Sequence, residues 1–307
     1  MFFEGSEKKV EVVFDERTAS LRRFPAAFWE RVVARSRAAI LSKIANPACD
    51  AYLLSESSLF VYDYRLIMIT CGTTALTGAI AEMFTFLEPG SVRLLVYERK
   101  NELCPEDQPS DFNADAAFLH RRFPGSAFVF GGEEENHVRV FYHAKDFDPP
   151  ADDMTLEILM HGLSLSARGL FAGEDMNREK IYRETGIHRF WAGFTADDYL
   201  FTPMGYSLNG ICGDSYYTVH VTPQDPCSYA SFETNRFFHG DLEATVARVC
   251  GIFQPENFSV VLYSRHADPP ALTLGNYGLN HYENRSMCGY EVRFFNFDRQ
   301  ENGSRSA

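Results

Sequence analysis

Two stretches decide how this chain is organised: FLHRRFPGSAFVF at residues 118–130 and VARVCGIFQPENFSVVLY at residues 246–263. Each reads as the end of a helix, a Phe, a turn holding Pro, and a strand of β-branched and aromatic residues. The echo predicts a duplicated unit, a sheet with helices on one face, whose two copies pack sheet to sheet. That is an α+β architecture. The halves are expected at about 1–150 and 151–298 within a single domain spanning 1–307, with a disordered tail at 300–307, QENGSRSA in its last residues.

Outward from these stretches, helices are predicted over 25–44, 74–87, 110–123 and 241–253. Each has an apolar stripe at helical spacing, such as Leu76, Ile80, Met83, Phe84 and Leu87, and Ser110 is the expected cap of the third. Strands are predicted over 51–54, 58–61, 65–70, 127–131, 138–143, 155–160, 216–222, 228–234 and 258–263. In 155–160, Leu156, Ile158 and Met160 alternate with Thr155, Glu157 and Leu159.

Composition narrows the function classes. The hydrophobic share of 45% and charged share of 23% are globular values and exclude disorder over most of the chain. With 29 basic and 42 acidic residues the net charge is −13, a field that repels phosphate backbones and argues against nucleic-acid partners. The same field suits a small cationic ligand. The most apolar stretch, 66–87, is broken by Thr, Gly and Glu82, so no membrane span is expected, and no leader segment is evident. Seven cysteines without CxxC spacing read as free thiols in a reducing, cytoplasmic compartment. The sequons at Asn257, Asn284 and Asn302 read as chance matches.

Common motifs are missing: no GxxxxGK[ST], GxGxxG or HExxH occurs, and the nine His lack metal-ligand spacing, so no metal is expected. Gly205 to Gly210, GYSLNG, is one residue too long for a nucleophile elbow, which leaves a serine hydrolase as a minor alternative. The unusual segment is LSESSLFV at 54–61, where small polar residues interrupt an apolar β block; alone it reads as a turn or bulge. After it, ITCGTT at 69–74 ends a strand and opens a helix, where a helix N-terminus would lower the pKa of Cys71; a buried inert Cys is the commoner case.

Seven segments in order resemble the eukaryotic S-adenosylmethionine decarboxylase proenzymes: FFEGSEKKVEV (2–12), YLLSESSLFV (52–61), TCGTT (70–74), TLEILM (155–160), PMGYSLNG (203–210), YTVHVTP (217–223) and SYASFETN (228–235). The likeness thins over 90–150 and after 264. It implies a four-layer αββα sandwich of two antiparallel sheets flanked by helices. It also implies self-cleavage at Glu56–Ser57 into a β chain, 1–56, and an α chain, 57–307, whose first residue becomes a pyruvoyl group. That group would serve in place of PLP, forming a Schiff base with S-adenosylmethionine and accepting electrons as carbon dioxide leaves.

By the same resemblance, Ser207 and His220 assist processing and Cys71 returns a proton. Phe3 and Phe201 sandwich the adenine, while Glu7, Leu54, Glu56 and Gln224 complete the substrate site. Glu11, Asp153, Thr155, Glu157 and Glu233 match an acidic putrescine site, so putrescine enters as a candidate activator. A homodimer of processed heterodimers is a further expectation. Three departures stand out: Gln224 replaces a Glu, Ile69 a Lys, and Glu98 and Val96 a Ser and an aromatic. The reading is an active decarboxylase feeding spermidine and spermine synthesis. The rival is a catalytically weak regulatory homologue that partners an active subunit, supported by Gln224 alone.

Overall fold

In Lys8–Phe14, KKVEVVF, Val10 and Val12 point one way while Lys9 and Glu11 point the other. This strand, β1, is central to the first of two sheets in the computed structural model, which describes residues 3–132, 135–173, 176–225, 227–236, 242–265 and 272–300. The rest of the first sheet is β2 (Ile40–Ala45), β3 (Asp50–Leu54), β4 (Ser57–Val61), β5 (Arg65–Thr70), β6 (Val92–Lys100), β7 (Ser126–Phe130) and β8 (Val138–Ala144). The second holds β9 (Met154–His161), β10 (Thr195–Leu200), β11 (Tyr206–Cys212), β12 (Ser215–Thr222), β13 (Tyr229–Thr234), β14 (Asn257–Ser264), β15 (Tyr277–Met287) and β16 (Tyr290–Arg299). Helices α1 (Ala26–Arg35), α2 (Leu76–Met83) and α3 (Phe112–His120) accompany the first sheet, and α4 (Leu165–Leu170), α5 (Arg178–Thr185) and α6 (Leu242–Phe253) the second.

Strand order shows the duplication. The first sheet runs β2-β3-β4-β5-β1-β6-β8-β7 and the second β10-β11-β12-β13-β9-β14-β16-β15, so each strand has a counterpart eight strands later. The echo of 118–130 and 246–263 therefore joins non-equivalent elements: the counterpart of α6–β14 is α2–β6, while α3–β7 corresponds to the run into β15. Shared turn chemistry produced a true inference from the wrong pair.

Four layers result. Trp29, Val33, Ile80 and Leu119 from the helices pack on one face of the first sheet, and Ile181, Val246 and Phe253 do the same on the second. The inner faces meet in two apolar clusters. One joins Val96 and Val140 to Val261 and Phe294; the other joins Phe60 and Ile67 to Ile211 and Tyr216.

Several expected boundaries move. The helix expected over 25–44 ends at Arg35: the amide and hydroxyl of Ser36 both donate to the Val33 carbonyl, Arg37 takes φ +68°, and Ile40–Ala45 is a strand. Ile40 and Ile44 misled because a spacing of four satisfies helix and strand periods alike. At α3 the cap is Asp111, whose Oδ1 accepts from the Ala114 amide at 2.7 Å; Ser110 instead donates to Asp115. Gly205 precedes β11 and the rest of GYSLNG runs along that strand, so it forms no elbow. The tail at 301–307, Asp241 of the fourth helix and Phe2 of the first motif lie outside the described residues. Among the described residues no helix is long and apolar enough to cross a membrane.

Candidate active site

The β3–β4 hairpin is closed by two residues, Ser55 and Glu56, with Leu54 paired to Ser57. This tip is pinned to the chain before β2: Ser55 N–H donates to the Ala39 carbonyl (2.8 Å) and the Ala39 amide donates to Ser55 Oγ (3.0 Å). Ser57 is 1% exposed and sits at φ +124°, a backbone region that L-residues rarely occupy. The carbonyl before it, of Glu56, accepts the Cys71 amide at 3.0 Å. Ser57 Oγ donates to Cys71 Sγ at 3.5 Å. A strained peptide, a polarised carbonyl and an adjacent hydroxyl thus share one partly buried turn.

Burial, together with the Glu56 carboxylate, pushes the Cys71 thiol well above its ordinary range. This reverses the expectation of a helix-lowered pKa: α2 starts only at Leu76, and the thiol is desolvated. Cys71 is held as a protonated thiol rather than a thiolate.

Across the interface, Ser207 on β11 and His220 on β12 are register partners, with Ser207 Oγ 2.9 Å from His220 Nδ1. His220 Nε2 lies 2.9 Å from Thr218 Oγ1 and 3.2 Å from Ser58 Oγ. Burial lowers the His220 pKa to about 3, so the ring is neutral. Phe3, Glu56, Ser57, Cys71, Phe201, Ser207, His220 and Gln224 line one cavity of about 310 Å³, together with Met204 and Pro223. Phe3 is set at its mouth because the Glu4 carboxylate accepts the Leu103 and Cys104 amides and the Glu4 carbonyl accepts that of Gly72. Gln224 Oε1 accepts the Phe3 amide at 2.9 Å. Glu56 Oε2 is buried without a hydrogen-bond partner, and burial raises its carboxyl to about 7. An unpaired polar atom in a cavity walled by two Phe rings suits a ligand with an aromatic body and hydroxyls.

A family model described as adenosylmethionine decarboxylase matches residues 1–301. The chain belongs to this family. It is 33% identical over 288 residues to the S-adenosylmethionine decarboxylase proenzyme of Dictyostelium discoideum, covering 87% of this chain and 76% of that protein. To the proenzyme of Vicia faba it is 35% identical over 290 residues, covering 86% and 81%. Among solved structures it resembles the Trypanosoma brucei AdoMetDC-delta26 monomer, at TM-score 0.60 and 26% identity, over 79% of this chain and 99% of that one.

The remaining family-matched residues fall elsewhere. Leu54 is buried beside the turn, and Glu7 is buried in β-sheet surroundings, accepting from Ser231 Oγ at 2.7 Å. Burial raises the Glu7 carboxyl to about 8, with Glu233 and Glu157 adding to the rise against Ser231 and Lys100. The acidic set does gather between the sheets, but cations of the chain already occupy it. Lys9 Nζ bridges Glu157 (2.8 Å) and Glu233 (3.0 Å), and Lys100 Nζ bridges Glu157 (2.6 Å) and Glu98 (2.5 Å). Arg65 holds Glu11 (2.8 Å) and Asp153 (3.3 Å). The space left beside Thr155 and Glu11 is about 10 Å³, about the room that one water needs. The carboxylates of the expected putrescine site are thus paired with Lys9, Lys100 and Arg65.

Glu98 does point inward, and Lys100 and Tyr263 satisfy it. Lys9 was legible in principle, since Lys9 and Glu11 share one face of β1. Ser58 and Asn209 escaped notice: nothing in the sequence marks Ser58 as facing His220 from another sheet, or Asn209 as reaching Ser58. Among the described residues no group of three His, Cys, Asp or Glu could hold a metal ion.

Proposed function

We propose that this protein decarboxylates S-adenosylmethionine, using a pyruvoyl group that it makes by cutting its own chain between Glu56 and Ser57. The strained Ser57 beside a carbonyl held by the Cys71 amide carries this reading. Ser57 Oγ attacks the Glu56 carbonyl and the acyl group passes from nitrogen to oxygen, relieving the unfavourable φ. Loss of the Ser57 α-proton then expels the Glu56 carboxylate from Cβ, with Ser207 and His220 receiving the proton. Tautomerisation and hydrolysis release ammonia and leave the pyruvoyl group at the head of 57–307. When present, that group supplies the carbonyl and electron sink that decarboxylation needs.

The surrounding side chains take up the rest. Phe3 and Phe201 hold the adenine, and their rings favour the sulfonium charge. The unpaired Glu56 oxygen, Glu7, Leu54 and Gln224 serve the ribose and amino-acid ends. Cys71, kept protonated by burial, delivers the proton to the α-carbon. The product would serve polyamine synthesis in the cytoplasm, a location suited to seven free cysteines. We read putrescine as dispensable here, because Lys9, Lys100 and Arg65 supply the positive charge of the acidic strip. Assembly into a dimer of processed chain pairs stays a proposal for sedimentation analysis.

Denaturing mass analysis tests the reading. The purified protein should give two chains ending at Glu56 and starting at a blocked residue 57. Ser57→Ala should give one inactive chain. A wild-type protein of a single 307-residue chain would overturn it.

A further inference from the structure

Asn209 is fully buried on β11 and crosses from the second sheet to the first. Its Nδ2 donates to the Tyr52 carbonyl at 3.1 Å, which can only accept, so the amide has one orientation. Its Oδ1 therefore faces Ser58 Oγ at 2.6 Å and Thr218 Oγ1 at 3.0 Å. Two oxygens at 2.6 Å need a proton between them, and only Ser58 can provide it. Thr218 Oγ1 also lies 3.0 Å from the Leu208 carbonyl and 3.3 Å from Ser58 Oγ, whose own proton is committed to Asn209, so three oxygens beside it can accept its proton.

The Ser58 proton is thus directed away from His220, and so is that of Thr218 while one of its oxygen acceptors holds it. Their oxygens, at 3.2 and 2.9 Å, present lone pairs to Nε2. Every polar atom is satisfied if Nε2 carries the ring proton and Nδ1 accepts from Ser207 Oγ. With the proton on Nδ1 instead, Nε2 and the Ser58 oxygen would meet lone pair to lone pair.

We infer that Asn209 is a positioning residue for self-cleavage: through Ser58 and Thr218 it fixes His220 as the Nε2–H tautomer and leaves Nδ1, behind Ser207, as the basic nitrogen. The inference rests on the proposed self-cleavage only for its consequence. In the ester, the α-proton of residue 57 goes to Ser207 Oγ as the Ser207 proton moves to Nδ1. The electron pair forms the Cα=Cβ bond, and the Cβ–Oγ bond breaks as the Glu56 carboxylate leaves. Asn209 serves this step as a carboxylate or amide serves a His in other acid–base sites, by setting which nitrogen is basic.

The tautomer is read directly by ¹⁵N-histidine NMR of the uncleavable Ser57→Ala protein, with the His220 signals assigned by their loss in His220→Asn. The expected pattern is a protonated Nε2 and a bare Nδ1, turning to a mixture in Ser57→Ala with Asn209→Ala. A protonated Nδ1 in Ser57→Ala would overturn the inference, and this measurement does not depend on cleavage. With Ser57 intact, Asn209→Ala should slow cleavage by roughly a hundredfold, in line with loss of a positioned base. It should accumulate a full-length chain that hydroxylamine splits at 56/57. Ser58→Ala, a smaller deletion, should slow the same step with the same hydroxylamine-sensitive chain. A folded Asn209→Ala protein that cleaves at the wild-type rate, or that stalls as a hydroxylamine-resistant amide, would overturn the role. Failure of the wild-type chain to cleave at all would instead defeat the self-cleavage reading and leave the tautomer result standing.

Discussion

At the scale of residues, the unusual chemistry comes from polar groups placed where water cannot reach. Glu7 is the clearest case. Its carboxyl is raised to about 8 by burial, whereas the unfolded chain has the ordinary value of 4.5. Between these values the folded state holds a proton that the unfolded state has released, so stability falls as pH rises across that window. One such group contributes a slope of about 1.4 kcal/mol per pH unit. Glu7→Gln should therefore flatten the pH dependence of unfolding between about pH 5 and 8 by that amount. Urea titrations of the single-chain Ser57→Ala protein would show it; an unchanged slope would mean Glu7 is ionised in the fold. Lys100, Glu157 and Glu233 face the same space and stay in place in both proteins.

At the scale of elements, the β11–β12 hairpin carries Ser207 and His220 and must keep its register for them to meet. Gly210 pairs with Tyr217, and a Cβ at position 210 would come within 2.0 Å of the Tyr217 ring. That ring packs among Phe190, Trp191, Phe194 and Phe232, and its hydroxyl donates to the Ile187 carbonyl. Gly210→Ala should force the ring out of this cluster and cost about 1–3 kcal/mol, as overpacking does. The fall appears as a lower melting temperature with slower processing; a normal melt would show that the ring can shift freely. The element reading of the sequence did best where one period was unambiguous, as in α2 and β9. It failed at 36–45, where isoleucines four apart fit both periods and a left-handed Arg37 ends the helix.

At the scale of the molecule, the charged strip between the sheets joins both halves. Lys9 and Lys100 of the first sheet meet Glu157 and Glu233 of the second. Removing one partner of a buried pair leaves an uncompensated charge and costs about 3–5 kcal/mol. Lys9→Ala should lower stability by that order and open room for a diamine, so millimolar putrescine should restore part of the loss. In the wild type, putrescine should change neither melting temperature nor activity. A clear activation of the wild type would show that the diamine displaces a resident lysine. The cleaved pieces should also stay together without denaturant, because β1 of the small chain sits between β5 and β6 of the large one.

The sequence by itself determined the α+β plan, most of the strands and the unusual small polar residues of the turn before Ser57. Alternation and helical stripes are local properties of the chain, and the seven matching segments carry Ser57, Cys71, Ser207 and His220 in order. Three things belonged to the tertiary structure alone: which strands are equivalent, how the acidic strip is neutralised, and which groups face the two nitrogens of His220. Each depends on groups far apart in sequence brought to hydrogen-bonding distance across two sheets. The Asn209 amide meets Tyr52 and Ser58 over separations of 157 and 151 residues, a pairing that no local pattern encodes.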